Sequence, residues 1–144
     1  MTVIAWDGET LAADKRSNIG SRHVTVTKIF KRDGMLIGGA GHTMLINQMV
    51  EWISLGCNPH TFPDANRDLN TCVCMMVISK DKKIHIYENV PFPIIVEQSQ
   101  HAIGSGSEFA RMAMHLGKKA HEAVELTCLF DSNCGNGIDT LRIE

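Results

Sequence analysis

Residues 1–20 read MTVIAWDGETLAADKRSNIG. Thr2 to Asp7 has the apolar content of a strand, Asp7-Gly8 is a turn signal, and Glu9 to Asp14 reads as the returning strand. The opening is therefore a β-hairpin whose first residue behind the start methionine is a threonine. That threonine has two readings. It is the first residue of a strand, or, once Met1 is removed, it is a residue that carries a hydroxyl nucleophile and an amine base together.

Working outward, Arg16 to Arg22 is polar, contains Gly20, and reads as a loop or bend. His23 to Arg32 alternates, with Val24, Val26, Lys28 and Phe30 on one face. Asp33-Gly34 turns the chain into Met35 to Ile37, a short apolar strand that runs into Gly38, Gly39 and Gly41. The period then changes. Leu45, Met49, Trp52 and Ile53 fall on one face of a helix over His42 to Leu55, which Gly56 closes. A polar, proline-containing connection from Cys57 to Asn70 follows.

Thr71 to Ser79 and Lys83 to Glu88 read as a strand pair, and Val90 to Glu97, with Pro91 and Pro93, as a short edge strand. Ser107 is placed to cap a helix from Glu108, with Phe109, Met112, Ala113 and Leu116 as its buried stripe. Gly117 breaks that helix. A second one spans Lys119 to Phe130, with Ala120, Ala123, Val124 and Thr127 inward. A glycine-rich loop and one last strand complete the chain.

Strand hairpins separated by blocks of helix suit antiparallel sheets with helices outside rather than a parallel βαβ design. The expected fold is α+β: a four-layer αββα sandwich of two antiparallel sheets, in one domain over residues 1–144.

Composition narrows the function. The chain is 44% hydrophobic and 21% charged, ordinary values for a globular domain. A formal net charge of -2, without a polybasic run, leaves no electrostatic footprint for nucleic acid or an anionic membrane. No basic segment followed by an apolar one opens the chain, and no apolar stretch is long enough to span a bilayer, so the cytoplasm is the expected location. The 5 cysteines are an odd number and are expected as free thiols. No second Cys or His pair stands at zinc-ligand spacing, so no metal is expected, and no other cofactor.

Several segments, in order, resemble the N-terminal-nucleophile hydrolases of the proteasome β-subunit and HslV type. Thr2 stands where that family has its mature N-terminal threonine. AADKRSNIG resembles the family's Ala-x-Asp-x-Arg segment with its following glycine, which carries Asp14, Arg16 and Gly20 onto the pattern. Lys28 matches the catalytic lysine. IGGAGHT resembles the glycine-rich turn that holds the oxyanion-binding amide, leaving Gly38, Gly39 and Gly41 as candidates. AIGSGSEFA carries the active-site serine onto Ser105. DSNCG carries the Asp-x-x-Ser-Gly motif onto Asp131 and Cys134, the cysteine replacing the expected serine. Asn18 joins Gly20 on the side that the resemblance assigns to substrate, with Arg16 and Cys134 in support.

The resemblance implies a threonine peptidase active once Met1 is gone. It also implies a homo-oligomeric ring of hexamer or heptamer type, single or stacked, that acts on unfolded polypeptide. The chain has no P-loop, so an AAA+ unfoldase would be a separate partner. In such an enzyme the Thr2 hydroxyl attacks, and its own amine, titrating near ~8, accepts the proton. Lys28 favours the deprotonated hydroxyl. Its phase with Val24 and Val26 turns it inward, an inward ammonium needs a partner, and Asp14 is the candidate. Ser105 is expected on the Thr2 amine, with Asp131 holding the network. Glycines 38, 39 and 41 serve either the oxyanion or merely a tight turn. Two other readings stay open: a ring-forming homologue without activity, and an amidase acting on a small molecule.

Overall fold

The computed structural model describes residues 2–63 and 72–143. Met1, residues 64–70 of the proline-containing connection, the start of the strand expected at Thr71 and Glu144 lie outside the described residues.

The opening hairpin is β1 (Ile4–Trp6) and β2 (Thr10–Asp14). Its turn is built by Asp7, whose Oδ1 accepts from the amides of Glu9 and Thr10 at 2.9 and 2.8 Å. Gly8 takes the positive φ of 99° that the turn requires. The other Asp7 oxygen accepts from the Ala120 amide at 2.8 Å, at the start of a helix far along the chain. One carboxylate thus closes a turn and neutralises the positive end of a helix.

The strands β10 (His101–Ile103), β1, β2 and β11 (Ile138–Arg142) form one sheet in that order. The strands β5 (Ile29–Arg32), β6 (Met35–Gly41), β7 (Val73–Ile78), β8 (Ile84–Tyr87) and β9 (Ile94–Val96) form the second. A ribbon of β3 (Arg16–Ile19) and β4 (Arg22–Thr25) stands apart. Every pairing is antiparallel.

Three cores define four layers. Between the sheets, Ile4, Trp6 and Leu11 meet Leu36, Met76 and Ile84. The opposite pleat of β1 and β2 turns Val3, Ala5 and Ala12 toward α2 (Ser107–His115) and α3 (Ala120–Phe130), which answer with Ala110, Ala113, Ala120 and Ala123. Alanine on both sides lets these helices sit close to the sheet. On the far side, α1 (Thr43–Ser54) lays Leu45, Met49 and Ile53 on Ile37, Met75 and Val77. The expected αββα sandwich is the observed one. The first sheet carries two helices and the second carries α1.

The structure corrects several local expectations. Arg16 to Arg22 is not a loop but the β3–β4 hairpin, with Arg16 opposite Thr25. The expected strand His23 to Arg32 is broken between β4 and β5, which belong to different sheets. β6 continues through the glycines to Gly41 instead of stopping at Ile37. In α2 the buried stripe is Ala110, Ala113 and Met114, while Phe109, Met112 and Leu116 are at least half exposed. The packing explains the last. A Cβ on Gly106, the residue before α2, would fall 2.6 Å from Thr127 Cγ2 and 3.1 Å from Val3 Cβ. The helix approaches too closely for phenylalanine to face inward. Gly106, not Ser107, is the N-cap residue, and Ser107 opens the helix. The inward set of α3, with Ala120, Ala123, Val124 and Thr127, is as expected.

Candidate active site

Antiparallel pairing of β1 with β2 sets Ile4 opposite Ala13, and therefore Val3 opposite Asp14. Thr2 follows at the same end of the sheet. Lys28 immediately precedes β5 in the other sheet, and the Gly39 amide fixes its carbonyl at 3.1 Å. Packing the sheets face to face brings the three side chains together. Lys28 Nζ donates to Thr2 Oγ1 at 3.1 Å and to Asp14 Oδ1 at 2.8 Å. Exposure is 9% for Thr2, 6% for Lys28 and 0% for Asp14.

Burying an ion pair is tolerable only when its remaining hydrogen-bonding capacity is met. Asp14 meets it fully. Oδ1 also accepts from the Val3 amide at 3.2 Å. Oδ2 accepts from the amides of Arg16 and Gly135 at 3.2 and 3.0 Å. The carboxylate in turn holds Lys28 Nζ against the threonine hydroxyl. Chemically, the arrangement lowers the cost of removing the Thr2 proton.

Arg16 works one step further out. Its Nε donates to Asn136 Oδ1 at 2.9 Å and its Nη1 to the Ser132 carbonyl at 2.6 Å. These bonds seat the loop that presents the Gly135 amide to Asp14.

On the other side of Thr2, the backbone nitrogen donates to Ser105 Oγ at 3.2 Å. The Thr2 carbonyl accepts from the Gly106 amide at 3.0 Å. Gly104 has a φ of +98°, and a Cβ there would stand 2.2 Å from the Thr2 carbonyl oxygen, so no side chain fits. Asp131 keeps to its own loop: Oδ1 accepts from the Asn133 amide at 2.9 Å and Oδ2 faces Cys134 Sγ at 3.5 Å. The expected network is thus linked from Ser105 to Thr2, while the contacts of Asp131 run to Cys134.

Cys134 is buried, and burial, then the charges of Asp14 and Asp131, push its thiol up to about 12. Cys128 is pushed to about 11, again by burial first. Both stay protonated near neutrality and are poor nucleophiles.

The glycines separate by role. A Cβ on Gly38 would lie 2.8 Å from Ile4 Cγ2, and on Gly39 2.6 Å from Ile46 Cγ2. These two admit the opposite sheet and α1. Gly41 borders a cleft of about 440 Å³ whose wall also includes Thr2, Ser105, Cys72, Cys74 and Glu88. The Gly39 amide points to the β5 edge and the His42 amide to the β7 edge, where it donates to the Cys72 carbonyl at 3.2 Å. Gly41 itself takes a positive φ of 123°, and a Cβ there would stand 2.3 Å from the Cys72 carbonyl oxygen, so only glycine fits at this point of the cleft wall. Asn18 and Gly20 lie on the β3–β4 ribbon, exposed and outside this cleft, with Asn18 Oδ1 2.8 Å from His23 Nδ1.

A larger hollow of about 670 Å³ lies against α2, bordered by Gln98, Glu108, Arg111 and His115. None of the expected catalytic side chains borders it. Among the described residues no group of three or more His, Cys, Asp or Glu is arranged to hold a metal. No helix among them is long and apolar enough to cross a membrane.

Sequence reasoning missed the amides of Val3 and Gly135 and the walls Cys72, Cys74 and Glu88. Backbone donors have no residue signature, and the walls come from strands remote in sequence.

No protein-family model and no curated protein matches the sequence. Solved structures do match the fold. Thiobacillus denitrificans BPH superposes with a TM-score of 0.70 at 15% identity, over 100% of this chain and 99% of that one. The same protein in complex with epoxomicin gives 0.72 at 14% identity, over 100% of both chains. HslV from Trypanosoma brucei gives 0.71 at 19% identity, over 97% of each. The chain therefore has the N-terminal-nucleophile hydrolase fold of these HslV-like proteins.

Proposed function

We propose that this chain is a threonine-type peptidase of the proteasome and HslV kind, with Thr2 as its nucleophile once Met1 has been removed. The observation that carries this reading is the Lys28 ammonium, 3.1 Å from Thr2 Oγ1 and 2.8 Å from Asp14 Oδ1 in a buried site. A core lysine held by four-fold satisfied carboxylate has an evident use if an alkoxide develops beside it.

In this mechanism the Thr2 hydroxyl gives its proton to the Thr2 amine, directly or through water, and Oγ1 bonds to the peptide carbonyl carbon. The carbonyl oxygen takes the negative charge and meets the Gly41 amide. As the C–N bond breaks, the Thr2 ammonium returns a proton to the leaving amine. Water, deprotonated by the same amine, then splits the acyl-enzyme ester. Ser105 orients the amine, and Asp131 and Cys134 shape the loop behind it. The protein works as a homo-oligomeric ring on unfolded polypeptide, delivered by a separate AAA+ ATPase.

Support for the peptidase reading comes from the fold shared with HslV and with a protein solved in complex with epoxomicin. The test is Thr2→Ala in protein lacking Met1. Hydrolysis of an unfolded protein substrate should be abolished while size-exclusion chromatography shows unchanged assembly. Undiminished turnover would remove Thr2 from the mechanism.

A further inference from the structure

The hollow of about 670 Å³ against α2 is larger than the cleft at Thr2 and falls in the size range of small-ligand sites. One wall is a face of α2, where Glu108, Arg111 and Met112 follow at helical spacing. The other is Gln98 to Gln100, the segment that leads into β10. Met114, 2% exposed, and Met112, 62% exposed, add thioether surface. Glu108 and Arg111 stand about one turn apart and are both exposed. Neither enters an ion pair among the described residues. The Arg111 charge reaches the other wall: His101, next to Gln100, is held below the usual imidazole range by burial first and then by this charge. The hollow therefore carries a cation and an anion that leave each other unpaired, beside carboxamides that both donate and accept.

We propose that this hollow binds short peptides with free ends, the terminal carboxylate on Arg111 and the terminal ammonium on Glu108. A guanidinium takes a carboxylate through two parallel hydrogen bonds, and a carboxylate takes an ammonium. Gln98 and Gln100 suit the peptide groups between the ends, each of which has one donor and one acceptor. The flexible thioethers of Met112 and Met114 fit apolar side chains of different shapes, so the ends are recognised rather than one sequence. A long polypeptide, with its ends far apart, meets only one of the two charges. In a peptidase, short peptides with free ends are the products, and the hollow is a second site for them, apart from Thr2.

Only the source of these peptides rests on the peptidase reading, and binding is tested without turnover, so either can fail alone. Met1-free Thr2→Ala protein, isotope-labelled at its methionine methyl groups, is followed by NMR. The probe is the tripeptide Ala-Leu-Ala, compared with its C-terminal amide and its N-acetyl form. The free tripeptide should shift the Met112 and Met114 signals saturably and leave Met75 and Met76, in the cores around the second sheet, in place. Arg111→Gln and Glu108→Gln should each weaken binding by about tenfold or more, the scale of one charge-assisted contact. Amidation should weaken binding to the parent protein but add nothing to Arg111→Gln, and acetylation should add nothing to Glu108→Gln. Unshifted Met75 and Met76 signals confirm that each variant is folded. No shift at Met112 or Met114 with about 10 mM tripeptide, a concentration that reveals even weak complexes, overturns the site. Shifts that Arg111→Gln and Glu108→Gln leave intact, or that amidation and acetylation do not reduce, overturn the recognition of the two ends. Each of these results leaves the peptidase reading standing.

Discussion

Lys28 and Asp14 reach Thr2 from strand ends in two different sheets, whereas Ser105 reaches it from the turn before α2, and Asp131 and Cys134 stay in the loop after α3. The first group is almost fully buried, and Asp14 accepts four hydrogen bonds. In the second, Ser105 is exposed and Asp131 is tied to its own loop. A charge pair inside a sandwich is fixed by everything around it and holds one geometry. A serine on an exposed turn, which accepts from the Thr2 nitrogen at 3.2 Å and donates to the Thr2 carbonyl at 3.5 Å, can be lost at smaller cost. The two sides of Thr2 should therefore answer very differently to substitution.

The largest effect is expected at Asp14. Asp14→Ala strands the Lys28 ammonium in the interior and leaves the Val3, Arg16 and Gly135 amides without their acceptor. The expected loss is about 3–5 kcal/mol of stability, read from urea unfolding. A loss below about 1 kcal/mol, the scale of an exposed pair, would erase the contrast between the two sides.

Next is Lys28→Ala, expected to reduce peptide hydrolysis by at least ~100-fold, the lower end for a group that assists proton removal. Lys28→Met keeps much of the side-chain volume and separates lost charge from lost packing. A wild-type rate in either variant would take the ammonium out of the chemistry.

Ser105→Ala should cost about tenfold or less in kcat/KM, as suits exposed hydrogen bonds that water can replace, with little change in the unfolding midpoint. A loss as large as that of Lys28→Ala would show that the exposed side is as critical as the buried one.

The smallest effect belongs to Cys134. Its thiol, pushed up to about 12, should resist iodoacetamide at pH 8 in the folded protein. Rapid alkylation, seen by peptide mass mapping, would mean that the loop behind Asp131 opens readily.

The same contrast governs what could be read in the sequence. The β1–β2 hairpin was legible because strand alternation and a turn signal are local, whereas Thr2 and Asp14 stood out only through the family resemblance. Lys28 was legible as an inward residue, although by an incomplete route: the strand thought to carry it breaks between Val24 and Ile29, and the half-buried Val24 and Val26 do not share its core. What fixes Lys28 is the bond from Gly39 and its partners across the sandwich. The glycines were visible, but their division was not. Gly38 and Gly39 answer to Ile4 and Ile46, contacts between distant segments, while Gly41 borders a cleft whose other walls come from strands remote in sequence. The buried face of α2 was misread because its phase permits two stripes, and the alanine-lined sheet beneath selects the smaller one.

The most direct measurement is exposure of the Met1-free protein to a peptide epoxyketone, followed by mass mapping of the modified residue. A threonine hydroxyl activated by its own amine and by Lys28 predicts a single covalent adduct on Thr2, absent in Lys28→Ala over the same interval. An unmodified Thr2 in folded protein, or an adduct on a cysteine instead, would contradict it.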